Sequence, residues 1–225
     1  MGDLIAFDLD GTLIDSRLDL AESANELVAS CGGQPLGVDT VTGMVGEGAS
    51  VLVERVLTAA GLEVPVAEAL ERFLAIYERR MTIHTRCYPG IEDTLTFLEG
   101  RASLAVLTNK PAPHTVRLVK YLGIAGHFAW VMGTDGTFPR KPDPASLRHL
   151  MDRARATAGE TLYVGDSMVD VETARRAGVR ICVAAYGFAR FGEPLQLDGT
   201  ELVAQTPEEL GARLDEFLDR HRNAT

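Results

Sequence analysis

Five short apolar runs, Leu4 to Phe7, Leu104 to Leu107, Ala129 to Met132, Leu162 to Val164 and Ile181 to Ala184, recur along the chain, each bounded by Gly, Asp, Thr or Asn. Helix-length amphipathic segments separate most of them. This alternation leaves little choice but a parallel sheet with helices on both faces. In such sheets ligands bind beyond the carboxyl ends of the strands, so the chemistry is expected in the residues that follow the apolar runs.

One segment breaks the alternation. Between the first strand and Tyr88-Pro89-Gly90 lie about 70 residues with helical periodicity and no clear strand. Leu18, Ala21, Leu27 and Val28 fit one helix face, Val51, Leu52, Val56 and Leu57 a second, and Ala69, Leu70, Phe73, Leu74 and Tyr77 a third. Gly32-Gly33 and the stretch from Gly43 to Gly48 separate these helices. The expected layout is a core formed by residues 1–15 and 84–225 with a small helical insert at 16–83. A closing surface helix is expected from Pro207 to Arg222, with Thr206 as its N-cap and Pro207 at its first position.

Composition removes several classes of function. In 225 residues, 32 Asp and Glu outnumber 22 Lys and Arg, for a net charge of −10, which argues against a nucleic-acid binder that neutralises phosphates. The longest stretch free of charged side chains, Tyr121 to Thr134, has 14 residues, short of the roughly 20 that a membrane helix needs. Asp3, Asp8 and Asp10 stand where a secretory signal would place basic and then apolar residues, so a cytoplasmic protein is expected. Cys31, Cys87 and Cys182 are widely spaced and odd in number, which suits packing in a reducing compartment and not a disulfide framework. Oligomeric state leaves no signature in the sequence.

Asp8 and Asp10 stand two apart at a strand end, so both side chains project to one side before Gly11 turns the backbone. Asp166 follows the run Leu162 to Val164, Asp170 lies four residues on, Thr108 and Asn109 follow Leu104 to Leu107, and Lys141 precedes Pro142-Asp143-Pro144 at a helix start. If these ends converge, four carboxylates meet one lysine. Two carboxylates about 4 Å apart repel by roughly 4 kcal/mol at an effective dielectric near 20, so the group requires a cation. All-oxygen ligands with room for water suit Mg²⁺. A phosphate dianion would bridge that ion and Lys141, with the Thr108 hydroxyl and N–H groups near Gly11 and Asn109 on its other oxygens. An ionised Asp attacks phosphorus without a deprotonating partner, which makes Asp8 the candidate nucleophile. Asp10 is the candidate acid for the leaving oxygen and then base for water.

In order and spacing, Asp8-Leu9-Asp10-Gly11-Thr12, Thr108-Asn109-Lys110, Lys141-Pro142 and Gly165-Asp166-Ser167-Met168-Val169-Asp170 resemble the four motifs of the haloacid dehalogenase superfamily. Each motif alone is weak, whereas four in sequence are specific. The resemblance implies an α/β, Rossmann-like parallel-sheet core with an inserted helical cap. It implies that Asp8 is nucleophile and metal ligand, that Asp10 also binds Mg²⁺ through its backbone carbonyl, that Thr108 and Lys141 hold phosphate, that Asp166 ligates the metal and that Asp170 supports the site. Relatives often carry Asn where this chain has Val169, which removes a polar contact.

Within the superfamily, Val45-Gly46-Glu47-Gly48-Ala49, Val53-Glu54-Arg55-Val56-Leu57, Tyr88-Pro89-Gly90 and Thr108-Asn109-Lys110-Pro111 look most like the phosphoglycolate phosphatases. That likeness implies a small phosphorylated metabolite as substrate, 2-phosphoglycolate first. Gly46, Glu47 and Gly48 are then candidates for a cap loop close to the substrate, and Arg55 for a contact with its carboxylate. Another small-molecule phosphatase, a pyrophosphatase, a phosphomutase, or a protein that binds phosphometabolites or a partner without turnover remain as alternatives. Ser167 lacks the Gly-x-Ser-x-Gly elbow of a hydrolase nucleophile. The histidines at 84, 114, 127, 149 and 221 lack ligand spacing, Gly46-Glu47-Gly48 lacks the context of a dinucleotide site, and Trp130 reads as packing.

Overall fold

β1 (Leu4–Phe7) is followed by a turn through Gly11 and the two-residue strand β2 (Ile14–Asp15). Four helices come next: α1 (Arg17–Ser30), α2 (Val38–Thr42), α3 (Ala49–Ala59) and α4 (Val66–Arg80). The chain returns at β3 (Arg86–Cys87) and then alternates through α5 (Ile91–Leu98), β4 (Ser103–Pro111), α6 (Ala112–Tyr121), β5 (Trp130–Thr134), α7 (Ala145–Ala154), β6 (Thr161–Gly165), α8 (Met168–Ala177) and β7 (Arg180–Ala184). It ends with β8 (Leu202–Ala204) and α9 (Pro207–Arg222). This computed structural model describes residues 2–192 and 194–222, the last three of them by backbone alone. The side chain of His221 therefore lies outside the described residues.

Six strands form one parallel sheet in the order β5-β4-β1-β6-β7-β8. β1 pairs on one side with β4, Phe7 opposite Val106, and on the other with β6, Phe7 opposite Val164. Strand order reverses at β1, so a crevice opens beyond its carboxyl end, as doubly wound sheets require. Leu4, Ile5, Ala6 and Phe7 are all fully buried, which explains an unbroken apolar run in place of alternation. The five expected strands are all present. β4 runs on through Thr108, Asn109 and Lys110 to Pro111, which pairs with Thr134 past an irregularity in register.

β2, β3, α2 and the edge strand β8 were not foreseen. Two-residue strands and a five-residue helix carry too little periodicity to register. α9 is more than a surface helix, because Leu210, Leu214, Phe217 and Leu218 are buried. Leu18, assigned to the buried face of α1, is instead 46% exposed.

The four helices between β2 and β3 share one apolar cluster that includes Leu27, Val28, Val41, Val56, Phe73 and Tyr77, all nearly inaccessible. The crossing points to and from them are tied together. β2 and β3 pair antiparallel, Ile14 with Cys87 and Asp15 with Arg86. Beside them the fully buried Asp19 of α1 accepts hydrogen bonds from the N–H of His84 (3.0 Å), the N–H of Thr85 (2.9 Å) and the hydroxyl of Thr85 (2.7 Å).

Candidate active site

The carboxyl ends of β1, β4 and β6 bring the expected residues together. Asp8 follows β1 directly and is 7% exposed; Asp166 follows β6 and is 3% exposed. Lys141 Nζ donates to Asp8 Oδ1 at 2.7 Å, to Asp170 Oδ1 at 2.7 Å and to the Tyr163 hydroxyl at 2.8 Å. Tyr163 in turn donates to the Leu107 carbonyl at 2.8 Å. These partners use all three ammonium protons and fix Lys141 between the two acids.

Asp170 is held from its other side as well. It occupies the third position of α8, where it closes a capping box with Ser167. Its Oδ2 accepts from the N–H of Ser167 (3.0 Å), the hydroxyl of Ser167 (2.6 Å) and the N–H of Asp166 (3.2 Å). Val169, the departure from the motif, takes no part in this network. Gly165 makes the close approach possible, since a Cβ there would stand 2.4 Å from the Asp170 side chain.

Asp8, Asp166 and Asp170 each offer a carboxylate oxygen, and these oxygens lie within 4.8 Å of one another. Because Asp170 is saturated by Lys141 and the α8 cap, Asp8 and Asp166 are the carboxylates with capacity for a divalent ion. Asp166 Oδ2 accepts from the N–H of Phe188 at 2.5 Å. A Cβ on Gly11, whose φ is +85°, would fall 2.2 Å from that same oxygen. Burial pushes the Asp8 carboxyl up to about 6 against the opposing pull of Lys141. Burial, then the charges of Asp170 and Asp8, raises Asp166 well above the ordinary carboxylate range. Two buried acids held close at such cost form a hard, oxygen-lined site that fits Mg²⁺.

Asp10 points to a different set of partners. Its Oδ1 accepts from the Ser16 hydroxyl at 2.5 Å, and Lys110 Nζ lies 3.0 and 2.9 Å from its two oxygens. Lys110 stands within the second motif, but nothing in the sequence gives it a role of its own. Burial alone would lower the Lys110 ammonium, but Asp10 outweighs it and raises it. Four carboxylates thus meet two lysines, and one divalent ion would balance the remainder.

Thr108 is buried at the end of β4, its hydroxyl accepting from the N–H of Lys110 at 3.3 Å. The Asn109 side chain binds Lys141 and also donates to the Gly46 carbonyl at 3.1 Å. That contact brings the loop before α3 onto the strand ends. Gly46 and Gly48 have φ of +126° and +95°, and a Cβ on Gly48 would lie 3.2 Å from the Asn109 carbonyl. The two glycines therefore serve a close backbone approach as well as a turn. Glu47 pairs with Arg55, whose guanidinium also donates to the Met44 carbonyl at 3.2 Å. Both line a cleft on the Asp166 side of the loop.

A second cavity lies between the helices and the strand ends. Asp8, Asp10, Thr108 and Lys110 form its floor; Leu20, Val45, Leu52, Phe73 and Tyr77 are among its walls. Among the other residues weighed from sequence, His114 is buried beside Glu78, His149 stacks on Phe138 and Trp130 lies under Arg153.

Residues 5–184 match the haloacid dehalogenase-like hydrolase family. The chain is 39% identical over 207 residues to a phosphoglycolate phosphatase of Pseudomonas fluorescens (strain Pf0-1), an alignment covering 89% of this chain and 75% of the relative. A second phosphoglycolate phosphatase, from Pseudomonas fluorescens strain Pf-5, is 39% identical over 206 residues with the same coverage. Among solved structures, a predicted phosphoglycolate phosphatase from Haemophilus somnus 129PT superposes with a TM-score of 0.87 at 28% identity, covering 93% of this chain and 96% of that one.

Proposed function

This chain belongs to the haloacid dehalogenase-like hydrolases, and we propose that it is a Mg²⁺-dependent phosphatase that hydrolyses a small phosphomonoester, foremost 2-phosphoglycolate, to glycolate and phosphate. The observation that carries this reading is the convergence of Asp8, Asp166 and Asp170, the first and last of them held by Lys141, at the point where strand order reverses. An aspartate held against an ammonium in a dry crevice is an anionic nucleophile poised for a phosphoryl group.

Residues 16–83 act as a cap over a core of residues 1–15 and 84–225. Asp8, Asp166 and the backbone carbonyl of Asp10 hold Mg²⁺, with Asp170 in support. When bound, the ion neutralises charge on the transferring phosphoryl group. Lys141, the Thr108 hydroxyl and the backbone N–H of Asn109 take the phosphoryl oxygens; the Gly11 N–H, expected among them, already donates to the Ile14 carbonyl at 2.9 Å. A carboxylate oxygen of Asp8 attacks phosphorus, the ester P–O bond breaks, and Asp10 gives its proton to the departing oxygen. Water then attacks the aspartyl-phosphate, Asp10 accepts the proton, and Asp8 is released with inorganic phosphate. The cap keeps bulk water from the intermediate. Among the described residues no helix is long and apolar enough to cross a membrane, and a small soluble metabolite in the cytoplasm is the substrate this reading requires.

Phosphate release from 2-phosphoglycolate, sugar phosphates and pyrophosphate, with Mg²⁺ or with EDTA, tests the proposal. Release from 2-phosphoglycolate in Mg²⁺ alone, abolished in Asp8→Asn, is the expected outcome. No release from any ester favours a binding protein, and preference for pyrophosphate or for phosphate transfer within a sugar favours the other enzymes of this fold.

A further inference from the structure

We propose that Lys110 and Tyr77 form the subsite for a carboxylate on the substrate, set close enough to the phosphoryl group to admit only a short spacer. The inference rests on the phosphatase reading above and names the residues that recognise the far end of its substrate.

The walls of this second cavity are apolar at Leu20, Val45, Leu52 and Phe73. They offer nothing to the hydroxyls of a sugar, which would be buried there without partners. Beyond Asp8, Asp10, Thr108 and Asn109, which serve the phosphoryl end, two polar groups interrupt this lining. Tyr77 of α4 is 2% exposed, and apart from the Lys110 ammonium beside it its hydroxyl has no partner among the described residues, so its O–H proton has no acceptor there. The Lys110 ammonium sits over the Tyr77 ring face, 4.5 Å from its centroid, and is otherwise directed to Asp10. A buried hydroxyl proton without an acceptor is costly and rare enough to require an explanation. Beside an ammonium and facing a cavity, an incoming anion is the partner that satisfies both groups.

The position of Lys110 sets the scale. Its Nζ is about 3 Å from the Asp10 carboxylate, and a proton donor lies about 3 Å from the oxygen it protonates. Lys110 is thus at most about 6 Å from the leaving oxygen, within reach of a carboxylate one carbon away and too near for an extended chain. Cap and core each supply one group, Tyr77 from α4 and Lys110 from β4. A substrate with both anionic ends would join the two layers, whereas one lacking the carboxylate would leave Tyr77 and Lys110 as they are. Arg55 is turned to Glu47 in the other cleft.

Binding to a non-reacting variant tests this without relying on turnover. In MgCl₂ buffer, 2-phosphoglycolate and ethyl phosphate, which lacks the carboxylate, are titrated into Asp8→Asn and Asp8→Asn/Lys110→Met by calorimetry. Lys110→Met is expected to weaken 2-phosphoglycolate by about 10- to 100-fold, the loss of a charge-assisted bond, and ethyl phosphate several-fold less. Tyr77→Phe, which keeps the buried ion pair intact, is expected to weaken 2-phosphoglycolate about 3- to 10-fold and to spare ethyl phosphate. Equal losses for both esters, no loss, absence of 2-phosphoglycolate binding, or a loss confined to Arg55→Leu would overturn the assignment. Hydrolysis of other esters by the unmodified enzyme would then leave the phosphatase reading standing. Selective binding without turnover would do the reverse.

Discussion

Asn109 grips Lys141 by its own peptide groups: Asn109 Oδ1 accepts from the Lys141 N–H and Asn109 Nδ2 donates to the Lys141 carbonyl, both at 2.9 Å. One side chain at the end of β4 thereby fixes the backbone from which the ammonium reaches Asp8 and Asp170. The same Nδ2 reaches Gly46 of the loop before α3, so Lys141 and that loop share one anchor. Any phosphate contact proposed at position 109 therefore falls to its backbone N–H.

Asn109→Ala is expected to lower kcat/KM by about 10- to 100-fold through misplacement of Lys141, the usual scale for a supporting contact. It should also cost about 1–3 kcal/mol by leaving buried peptide groups unpaired. Asn109→Asp keeps the acceptor for the Lys141 N–H and should retain more activity than Asn109→Ala. Steady-state kinetics and thermal melts of the pair check the order; equal activity in both variants would show that the clamp does not matter.

The raised carboxyl of Asp8 makes the metal-free protein sensitive to pH. Unfolded, this group titrates near 3.8; folded, near 6. Between these values the folded state keeps a proton that the unfolded chain has lost, so stability falls as pH rises through the window and stays lower above it. In EDTA, Asp8→Asn should therefore melt higher than the unmodified protein at pH 8, by about 1–3 kcal/mol, and the gap should close toward pH 4. At the proposed metal site Mg²⁺ would displace that proton, so any stabilisation by Mg²⁺ should weaken as pH drops below about 6. Melting curves at pH 4, 6 and 8, with EDTA and with MgCl₂, measure both effects.

The parallel sheet and the residues at its strand ends could be read from the chain because each rests on a local pattern. Apolar runs buried on both faces, and Asp or Thr immediately after them, survive in one dimension. Lys110 could not be assigned this way. Its neighbours Thr108 and Asn109 carried the motif, and its partner Asp10 is one hundred residues away. The only available signal was the charge count: four carboxylates against one lysine plus one divalent ion left an uncompensated charge, which a second buried lysine removes. Arg55 shows the converse. A cation on a helix near a glycine loop invites a substrate contact, and its half-exposed partner Glu47, eight residues earlier, could not be read from the sequence. Tyr77 read as core packing from its periodicity, and its ring does pack, stacked 5.9 Å from Phe73; only its hydroxyl is available for another purpose. Asp19 gave no signal, since its partners at 84 and 85 become neighbours only after α1 to α4 have folded back.

Asp19 makes the crossing between the two parts of the molecule a specific stability test. Its carboxylate satisfies the N–H groups of His84 and Thr85 and the Thr85 hydroxyl, with both Asp19 and Thr85 wholly buried. Asp19→Ala strands all three donors and should destabilise the protein by about 2–4 kcal/mol. Hydrogen exchange should accelerate first at the amides of His84 and Thr85, which would place the loss at the crossing and not in the sheet. Uniform acceleration throughout the chain would instead indicate ordinary global destabilisation.

Gly187 offers a steric probe of the Asp166 site that changes no charge. Its φ and ψ of −75° and −156° are open to other residues, so backbone strain does not enter. Space does: an added Cβ would stand 2.4 Å from Asp166 Cβ and 2.4 Å from the Gly11 carbonyl. Gly187→Ala must push Asp166 or the Gly11 turn aside, and apparent Mg²⁺ affinity should fall about 10- to 100-fold, as when a ligand loses its support. Gly178→Ala is the matching control. Its φ is +75° with nothing within 4 Å of the added carbon, so it should lose about 1 kcal/mol to backbone strain and leave Mg²⁺ affinity unchanged. Magnesium titrations of activity, set beside melts of both variants, separate the two causes. If the affinities fell together with stability in both proteins, crowding at Asp166 would not be the reason.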